Sequence, residues 1–293
     1  MRVFLTGATG FIGSALIPDL IDAGHQVLGL ARSDEAAARL VSMGAEGHRG
    51  SLEDLDSLRR GAAGADGVIH AGFIHDFSKF AENCEIDRRA IEALGEALAG
   101  SGRPLIVTSG TGVGAPGTLR TEEDPPNPSS ARMPRVSEDA AALAQAKGVR
   151  VSIVRLPQVH DRFRQGLITY AVEIARQRGV SAYVGEGLNR WPASHQLDAA
   201  RLYRLALEKG VAGARYHAVA DEGVPFREIA EAIGRSLKTP AVSMSPEEAA
   251  GHFGWLAPLA AIDMPASSAL TRERLGWLPT GPGLIADLER LVN

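Results

Sequence analysis

The residues with the most chemical content stand near the start of the chain, in Thr6-Gly7-Ala8-Thr9-Gly10-Phe11-Ile12-Gly13. Arg2–Thr6 before them reads as a strand, and Phe11–Ala23 after them reads as a helix stopped by Gly24. A strand that turns through glycines into a helix is built to hold a pyrophosphate. Gly7 permits the tight turn, Gly10 lets the backbone approach the phosphates, and Gly13 lets the helix pack closely on the sheet. The helix N-terminus adds unpaired N–H groups and a partial positive charge. Thr9, Phe11 and Ile12 occupy the same turn and join the expected cofactor contacts. An ordinary glycine-rich turn is the competing reading, and the strand, spacing and helix together weigh against it.

The end of the second strand, Leu30-Ala31-Arg32-Ser33, selects between dinucleotides. A chain that takes both ribose hydroxyls of NAD places a carboxylate there. Here the tip carries Arg32, whose planar guanidinium suits a 2′-phosphate, with the Ser33 hydroxyl beside it. NADP(H) is therefore expected over NAD(H). The alternative is a solvated Arg32 and a Ser33 that only caps the next helix. Ser51 and Leu52, after the third strand candidate, complete the adenosine side; Ser51 is also read as the cap of a short helix.

These residues need a scaffold. Strand candidates Gln26–Ala31, Ala45–Arg49, Gly67–Ala71, Pro104–Thr108 and Arg150–Arg155 alternate with helix candidates Asp34–Met43, Glu82–Ala99 and Ser137–Ala146. Such alternation implies an α/β fold, a Rossmann-type doubly wound parallel sheet. Residues 1–165 are expected to form the NADP-binding domain. Residues 166–293 are expected to complete the sheet and form a small, mostly helical C-terminal lobe over the substrate. Within the first of these, Gly110–Pro134, with Pro116, Pro125, Pro126, Pro128 and Pro134, reads as a long loop of the functional or mobile kind.

Composition excludes other classes. The chain has 293 residues, 45% hydrophobic and 23% charged, with a net charge of −4, so it is neither disordered in bulk nor a polyanion binder. Its single cysteine, Cys84, rules out an internal disulfide and cysteine-cluster metal sites, and no His/Asp/Glu spacing suggests a metal. No apolar stretch is long enough to span a membrane, and the N-terminus has no signal-peptide pattern. A cytoplasmic protein without nucleic-acid or membrane partners is expected.

With those motifs in place, the chain resembles the extended short-chain dehydrogenase/reductase superfamily, that of NAD(P)-dependent epimerases, dehydratases and reductases. The Gly7, Gly10, Gly13 spacing has that branch's form, and the resemblance covers nearly the whole chain. Val68–Gly72 is similar to the family's fourth strand, which implies Ala71 and Gly72 beside the adenosine ribose. Leu105–Gly110 is similar to the fifth, which carries the catalytic Ser/Thr and implies Thr108 near the cofactor. Arg155–His160 is similar to the sixth, whose turn, Pro157 here, lies under the nicotinamide. Asp87 stands where the family has an asparagine. Trp191–Asp198 is similar to a histidine-plus-aspartate turn before a late helix. The resemblance also implies a homodimer through the helices matching Glu82–Ala99 and Ser137–Ala146.

The departure lies in catalysis. The family uses Y-x-x-x-K, in which the tyrosine hands a proton to the carbonyl oxygen. Four residues beyond Tyr170, Tyr183, Tyr203 and Tyr216 stand Ile174, Gly187, Leu207 and Ala220. The tyrosine position falls at Pro134–Arg135 and the lysine position at Glu138–Asp139. Candidates for the chemistry are therefore Ser109 and Thr111, to hold the substrate oxygen; Arg135, to stabilise an alkoxide or grip an anion; and His75, as an acid. Each has a plainer reading as a turn, surface or loop residue. The expected function is NADP(H)-dependent reduction of a small organic carbonyl. The alternatives are a non-catalytic NADP-binding sensor and a sugar-nucleotide epimerase or dehydratase.

Overall fold

Short runs, apolar and buried on both faces except for the polar, mostly exposed edge run Glu46–Arg49, alternate with amphipathic helices through the first half of the chain. In the computed structural model, which describes residues 1–112, 114–115, 117–130 and 134–291, these become β1 (Arg2–Thr6), α1 (Phe11–Asp22), β2 (Gln26–Ala31), α2 (Asp34–Ser42), β3 (Glu46–Arg49), α3 (Leu55–Ala63), β4 (Gly67–His70), α4 (Phe80–Leu98), β5 (Pro104–Gly110), α5 (Ser137–Ala146) and β6 (Arg150–Leu156). There follow β7 (Gln158–His160), α6 (Ile168–Arg178), β8 (Ser181–Val184), β9 (Arg190–His195), α7 (Gln196–Lys209), β10 (Arg215–His217), β11 (Asp221–Pro225), α8 (Phe226–Leu237), β12 (Ala241–Met244), α9 (Pro246–Phe253), α10 (Ala257–Ala260), α11 (Ala269–Leu275) and α12 (Leu284–Leu288).

Seven strands form one parallel sheet in the order β10-β6-β5-β4-β1-β2-β3. Helices cover both faces, as a buried parallel sheet requires. One core packs α1, α2 and α7 on the sheet through Leu16, Leu20, Leu40 and Leu202. The other packs α3, α4 and α5 through Leu58, Ile91, Leu94 and Ala141. The chain winds outward from β1 in both directions, so the order reverses between β1 and β4. Ligands of open α/β sheets bind at such a reversal, outside the carboxyl ends of the strands.

Local signals set the helix ends. The Ser33 hydroxyl accepts the Ala36 N–H at 3.1 Å and caps α2, while Gly44 follows that helix at φ +82°. Ser51 does not cap α3. Asp54 does, accepting the Ser57 N–H at 2.9 Å, because the helix begins one turn later than the sequence suggests. Beyond Gly110, which ends β5, no helix or strand forms up to Pro134 among the described residues, and Arg120 makes an isolated β-bridge to Ala266; Pro116 lies outside the described residues.

The C-terminal lobe holds more strand than its sequence pattern reveals. β11, β9 and β7 form a small mixed sheet, and β12 pairs β8 in parallel. Arg190–His195, read as part of a turn, is the central strand of the first of these. These strands of three to six residues are too short to show a period of two. His195 then caps α7, accepting the Leu197 N–H, and the buried Asp198 accepts the N–H groups of Thr280 and Gly281 at 2.9 and 2.7 Å. Asp198 thereby ties α7 to the segment before α12, whereas the His195 cap is local to the start of α7.

α7 also sends Tyr203 under the sheet. Its fully buried hydroxyl meets Thr108 Oγ1 at 2.6 Å, and Thr108 donates to the His70 carbonyl at 2.7 Å. Burial pushes the phenol well above its ordinary pKa, so it stays neutral. Tyr203→Phe removes one buried hydrogen bond, and urea unfolding should show a loss of about 1 kcal/mol with cofactor binding unchanged.

Candidate functional site

The glycine turn shows why no other residue fits. Gly7 sits at φ +69°, and a Cβ there would lie 2.7 Å from the Ala71 carbonyl oxygen. A Cβ on Gly13 would lie 2.2 Å from the Gly7 oxygen and 2.7 Å from that of Ala8. Both distances are far inside contact, so α1 can approach β1 this closely only over glycine. A Cβ on Gly10 would meet only the Gly7 carbonyl, its oxygen at 3.0 Å and its carbon at 3.9 Å, and the position is otherwise open. That open backbone faces the first turn of α1, where Phe11 and Ile12 carry N–H groups without helical acceptors. Thr9 is half-buried in the same turn. Gly72 donates its N–H to Thr6 Oγ1 at 3.1 Å, which holds the ends of β4 and β1 together, with Ala71 half-buried beside it. The cradle therefore fits a pyrophosphate.

At the tip of β2, Arg32 and Ser33 are exposed. Arg32 has no hydrogen bond or ion pair among the described residues, whereas the Ser33 oxygen is engaged as the α2 cap. A second guanidinium, not anticipated from the sequence, stands beside them. Arg49 ends β3, pairs in register with Ala31, donates to the Ala31 carbonyl at 3.3 Å and lies 3.3 Å from Asp34. The available signal was a basic residue at the end of the strand after β2. Ser51 is half-buried, its oxygen accepting the N–H groups of Glu53 and Asp54. Leu52 packs near Gly72.

The other end of the groove is occupied by charge. Arg135 donates from Nη2 to the Thr108 carbonyl at 3.0 Å and from Nε to Ser137 Oγ at 2.7 Å. Its guanidinium lies 4.6 Å above the centre of the Phe73 ring, its side chain is 26% exposed, and its Nη1 makes no hydrogen bond among the described residues. The Ser137 hydroxyl donates a hydrogen bond to Asp87 Oδ2 at 2.5 Å, and Asp87 Oδ1 lies 3.1 Å from His70 Nε2. His70 Nδ1 in turn meets Thr6 Oγ1 at 2.9 Å. Asp87 is 1% exposed, so it reaches the groove through Arg135 and Ser137 rather than by touching a dinucleotide. Burial alone would raise its pKa, but the His70 hydrogen bond, the Arg135 charge and Ser137 outweigh it and keep the carboxylate ionised.

Next to this chain is a buried ion cluster. Glu138 takes both guanidinium arms of Arg155 at 2.7 and 3.0 Å and Arg215 at 2.8 Å. The Ser109 hydroxyl also hydrogen-bonds Glu138. Thr111 is buried, its N–H on the Leu156 carbonyl, and Pro157 is half-buried between β6 and β7. His75, on the segment after β4, donates from Nδ1 to the Phe73 carbonyl at 3.1 Å. Its ring is held among aromatic neighbours, and that desolvation, with the nearby Arg135 charge, pushes its pKa below the ordinary 6.5. It is a neutral ring at pH 7, with Nε2 available to accept a proton rather than to give one. The tertiary structure thus brings Ser109, Arg135 and His75 toward the carboxyl ends of β4 and β5, and leaves Thr111 and Thr108 facing inward.

Comparison with known proteins agrees with this geometry. Residues 3–219 match the NAD dependent epimerase/dehydratase family. An uncharacterised protein of Schizosaccharomyces pombe is 50% identical over 291 residues, covering 98% of each chain, and one of Saccharomyces cerevisiae is 46% identical with the same coverage. A sterol-4-alpha-carboxylate 3-dehydrogenase of Dictyostelium discoideum is 28% identical over 78% of this chain and 74% of its own. Among solved structures, UDP-glucose 4-epimerase of Thermus thermophilus superposes with a TM-score of 0.73 at 21% identity, covering 99% of this chain and 97% of its own. The dTDP-glucose 4,6-dehydratase of Streptomyces venezuelae gives 0.76 at 22%, covering 99% and 95%. The chain belongs to the NAD-dependent epimerase/dehydratase family, within the extended short-chain dehydrogenase/reductases. A nicotinamide dinucleotide is accordingly the cofactor class that its glycine turn serves, and its chemistry is of the oxidoreductase type.

The Glu138 cluster has a measurable consequence. Burial would raise this carboxyl, yet the bidentate Arg155 contact and Arg215 hold its pKa below the ordinary 4.5. A depressed carboxylate pKa contributes stability that is complete above pH 4.5 and is lost as pH falls through the folded value. Glu138→Gln leaves Arg155 buried without its countercharge and should cost about 3–5 kcal/mol in urea unfolding at pH 7. The variant should also lose part of the fall in stability below pH 4.5 that the unmutated protein shows.

Proposed function

We propose that the protein is an NADP(H)-dependent oxidoreductase that reduces a small organic carbonyl, with Arg135 standing in for the missing tyrosine. The observation that carries this reading is the fixed, quarter-exposed guanidinium of Arg135 at the carboxyl end of β5. The bound dinucleotide supplies the hydride to the substrate carbon. Charge then develops on the carbonyl oxygen, and Arg135 Nη1 donates to it. Three contacts, with Thr108, Ser137 and Phe73, hold the guanidinium in place beforehand, so little reorganisation is needed as the alkoxide forms. Arg135 does not yield a proton at any working pH, so water protonates the alkoxide. Ser109, tied to Glu138, orients its hydroxyl oxygen beside the same space, and Thr111 supports the turn beneath it. In the reverse, alcohol-oxidising direction, the proton returns to water by the same route, and neutral His75, expected from the sequence as an acid, is left without that role.

NADP(H) is favoured over NAD(H) by the adjacent Arg32 and Arg49 and by the lack of a carboxylate at the tip of β2. Thr9, Phe11, Ile12, Ala71, Gly72, Leu52 and Pro157 complete the cofactor groove in this reading. Two chains pairing through α4 and α5 belong to the same proposal; the outward face of α4 carries Glu85, Arg88 and Glu92 in ion pairs of 2.5–2.6 Å. An epimerase or dehydratase of nucleotide sugars is disfavoured, since no Y-x-x-x-K stands anywhere in the chain.

Calorimetric titration tests the cofactor. Each lost guanidinium–phosphate contact should weaken binding by about 1.5–3 kcal/mol, roughly ten- to hundred-fold. Arg32→Ala and Arg49→Ala should each show that loss for NADPH and almost none for NADH. Equal affinities in the unmutated protein would refute the preference.

Steady-state assays with NADPH on activated carbonyls test the chemistry. Arg135→Ala should lower kcat by roughly a hundred-fold or more while NADPH affinity stays within a few-fold. Arg135→Lys should recover only part, since a point charge cannot span Thr108 and Ser137 together. Ser109→Ala with Thr111→Val should lower activity at least about ten-fold, and each of the four Tyr→Phe variants should keep turnover. If NADPH binds but the unmutated protein turns over no carbonyl of a broad panel, the non-catalytic sensor is the better reading.

A further inference from the structure

The chain is poor in aromatic residues, at 5%, yet several of them gather in one place. Phe73, His75 and Phe77 follow β4, and Phe80 opens α4. Tyr170 comes from α6 and Trp255 from the 3₁₀ turn after α9. The rings touch in sequence. Phe73 meets His75 at 5.3 Å and Phe80 at 6.2 Å between centroids, and Phe77 meets Phe80 at 5.9 Å. Phe77 then stacks on Trp255 at 5.1 Å with 22° between planes, and Tyr170 stands edge-on to both. Phe73 lies under the Arg135 guanidinium. The cluster therefore runs unbroken from the group that meets the carbonyl oxygen to the C-terminal lobe.

Its exposure is unusual for so much apolar surface. Trp255 is 49% exposed and Phe73, Phe77 and Tyr170 are half-buried, whereas the other two tryptophans, Trp191 and Trp277, are fully buried. A core contact between lobes has no reason to leave its tryptophan in water. A wall for a flat ligand does, because the exposed ring face is the one the ligand covers.

We propose, resting on the oxidoreductase reading above, that the substrate is a planar aryl or conjugated carbonyl compound. Its π-system covers the exposed part of Trp255, whose other face Phe77 already fills, and its carbonyl group is directed along the series of rings toward Arg135. Aromatic stacking rewards a flat, polarisable substrate over a saturated one of equal size, so the clasp selects for shape and π-character.

Trp255 also provides the readout. With NADP⁺ present, 1-acetonaphthone should bind saturably and quench the exposed tryptophan, by fluorescence and by calorimetry. 1-Decalyl methyl ketone, its saturated counterpart, should bind at least ten-fold more weakly. Trp255→Ala should weaken the aryl ketone at least ten-fold, and Trp255→Phe should restore most of the affinity while losing the quench. Thermal melts establish that both variants are folded. Equal affinity for the two ketones overturns the proposal, as does unchanged aryl affinity in Trp255→Ala. Binding needs no turnover, so an aryl ketone that binds but is not reduced counts against the oxidoreductase reading alone. Reduction of the saturated ketone without aryl preference counts against the clasp alone.

Discussion

Everything at the cofactor end depends on one steric constraint. α1 lies so close to the end of β1 that a single methyl on Gly13 would sit 2.2 Å from the Gly7 oxygen. That approach brings the helix N-terminus to the end of the strand, where its free N–H groups meet the groove. The same closeness sets the neighbouring β4 turn against Gly7, so the ends of β1 and β4 and the start of α1 are packed against one another. The rest of the sheet is then assembled outward from β1 by parallel pairing on both sides. The reversal in strand order, and the groove above it, follow from that starting point.

The catalytic end shows how a site changes when its central pair is lost. Where the extended short-chain dehydrogenase/reductases are expected to place tyrosine and lysine, this chain has an arginine and a glutamate. Neither charge is left uncompensated. Arg135 leans on a carbonyl, a hydroxyl and an aromatic face, with Asp87 one bond further on. Glu138 is neutralised by Arg155 and Arg215. A buried ion with one partner removed is costly, so each replacement constrains several neighbours. The positive charge has moved from the lysine position to the tyrosine position. In the reading proposed above, the chemistry available is charge stabilisation in place of proton donation.

Much of this was legible in the sequence because it is local. The glycine spacing, the alternation of strands and helices and the Ser33 cap all depend on residues a few positions apart. The missing tyrosine–lysine pair was also a matter of reading the chain. The small strands of the lobe were not legible, because runs of three to six residues carry no period and are stabilised by partners far along the chain. The α3 cap was assigned to Ser51 instead of Asp54 because either residue could start the helix, and packing of Ser57 and Leu58 decided between them.

What the sequence determined by itself is therefore the fold class and the dinucleotide turn, both consequences of short-range sterics and periodicity. The tertiary structure decided the rest of the site. It placed Arg49 beside Arg32 across the β2–β3 register, linked Asp87 to Arg135 through Ser137, and drew Trp255 from the lobe onto Phe77. Each of these joins residues separated by 17 to 178 positions, and no local rule connects them. Their proximity arises only when the parallel crossovers and the returning lobe bring distant segments to the carboxyl ends of the same strands.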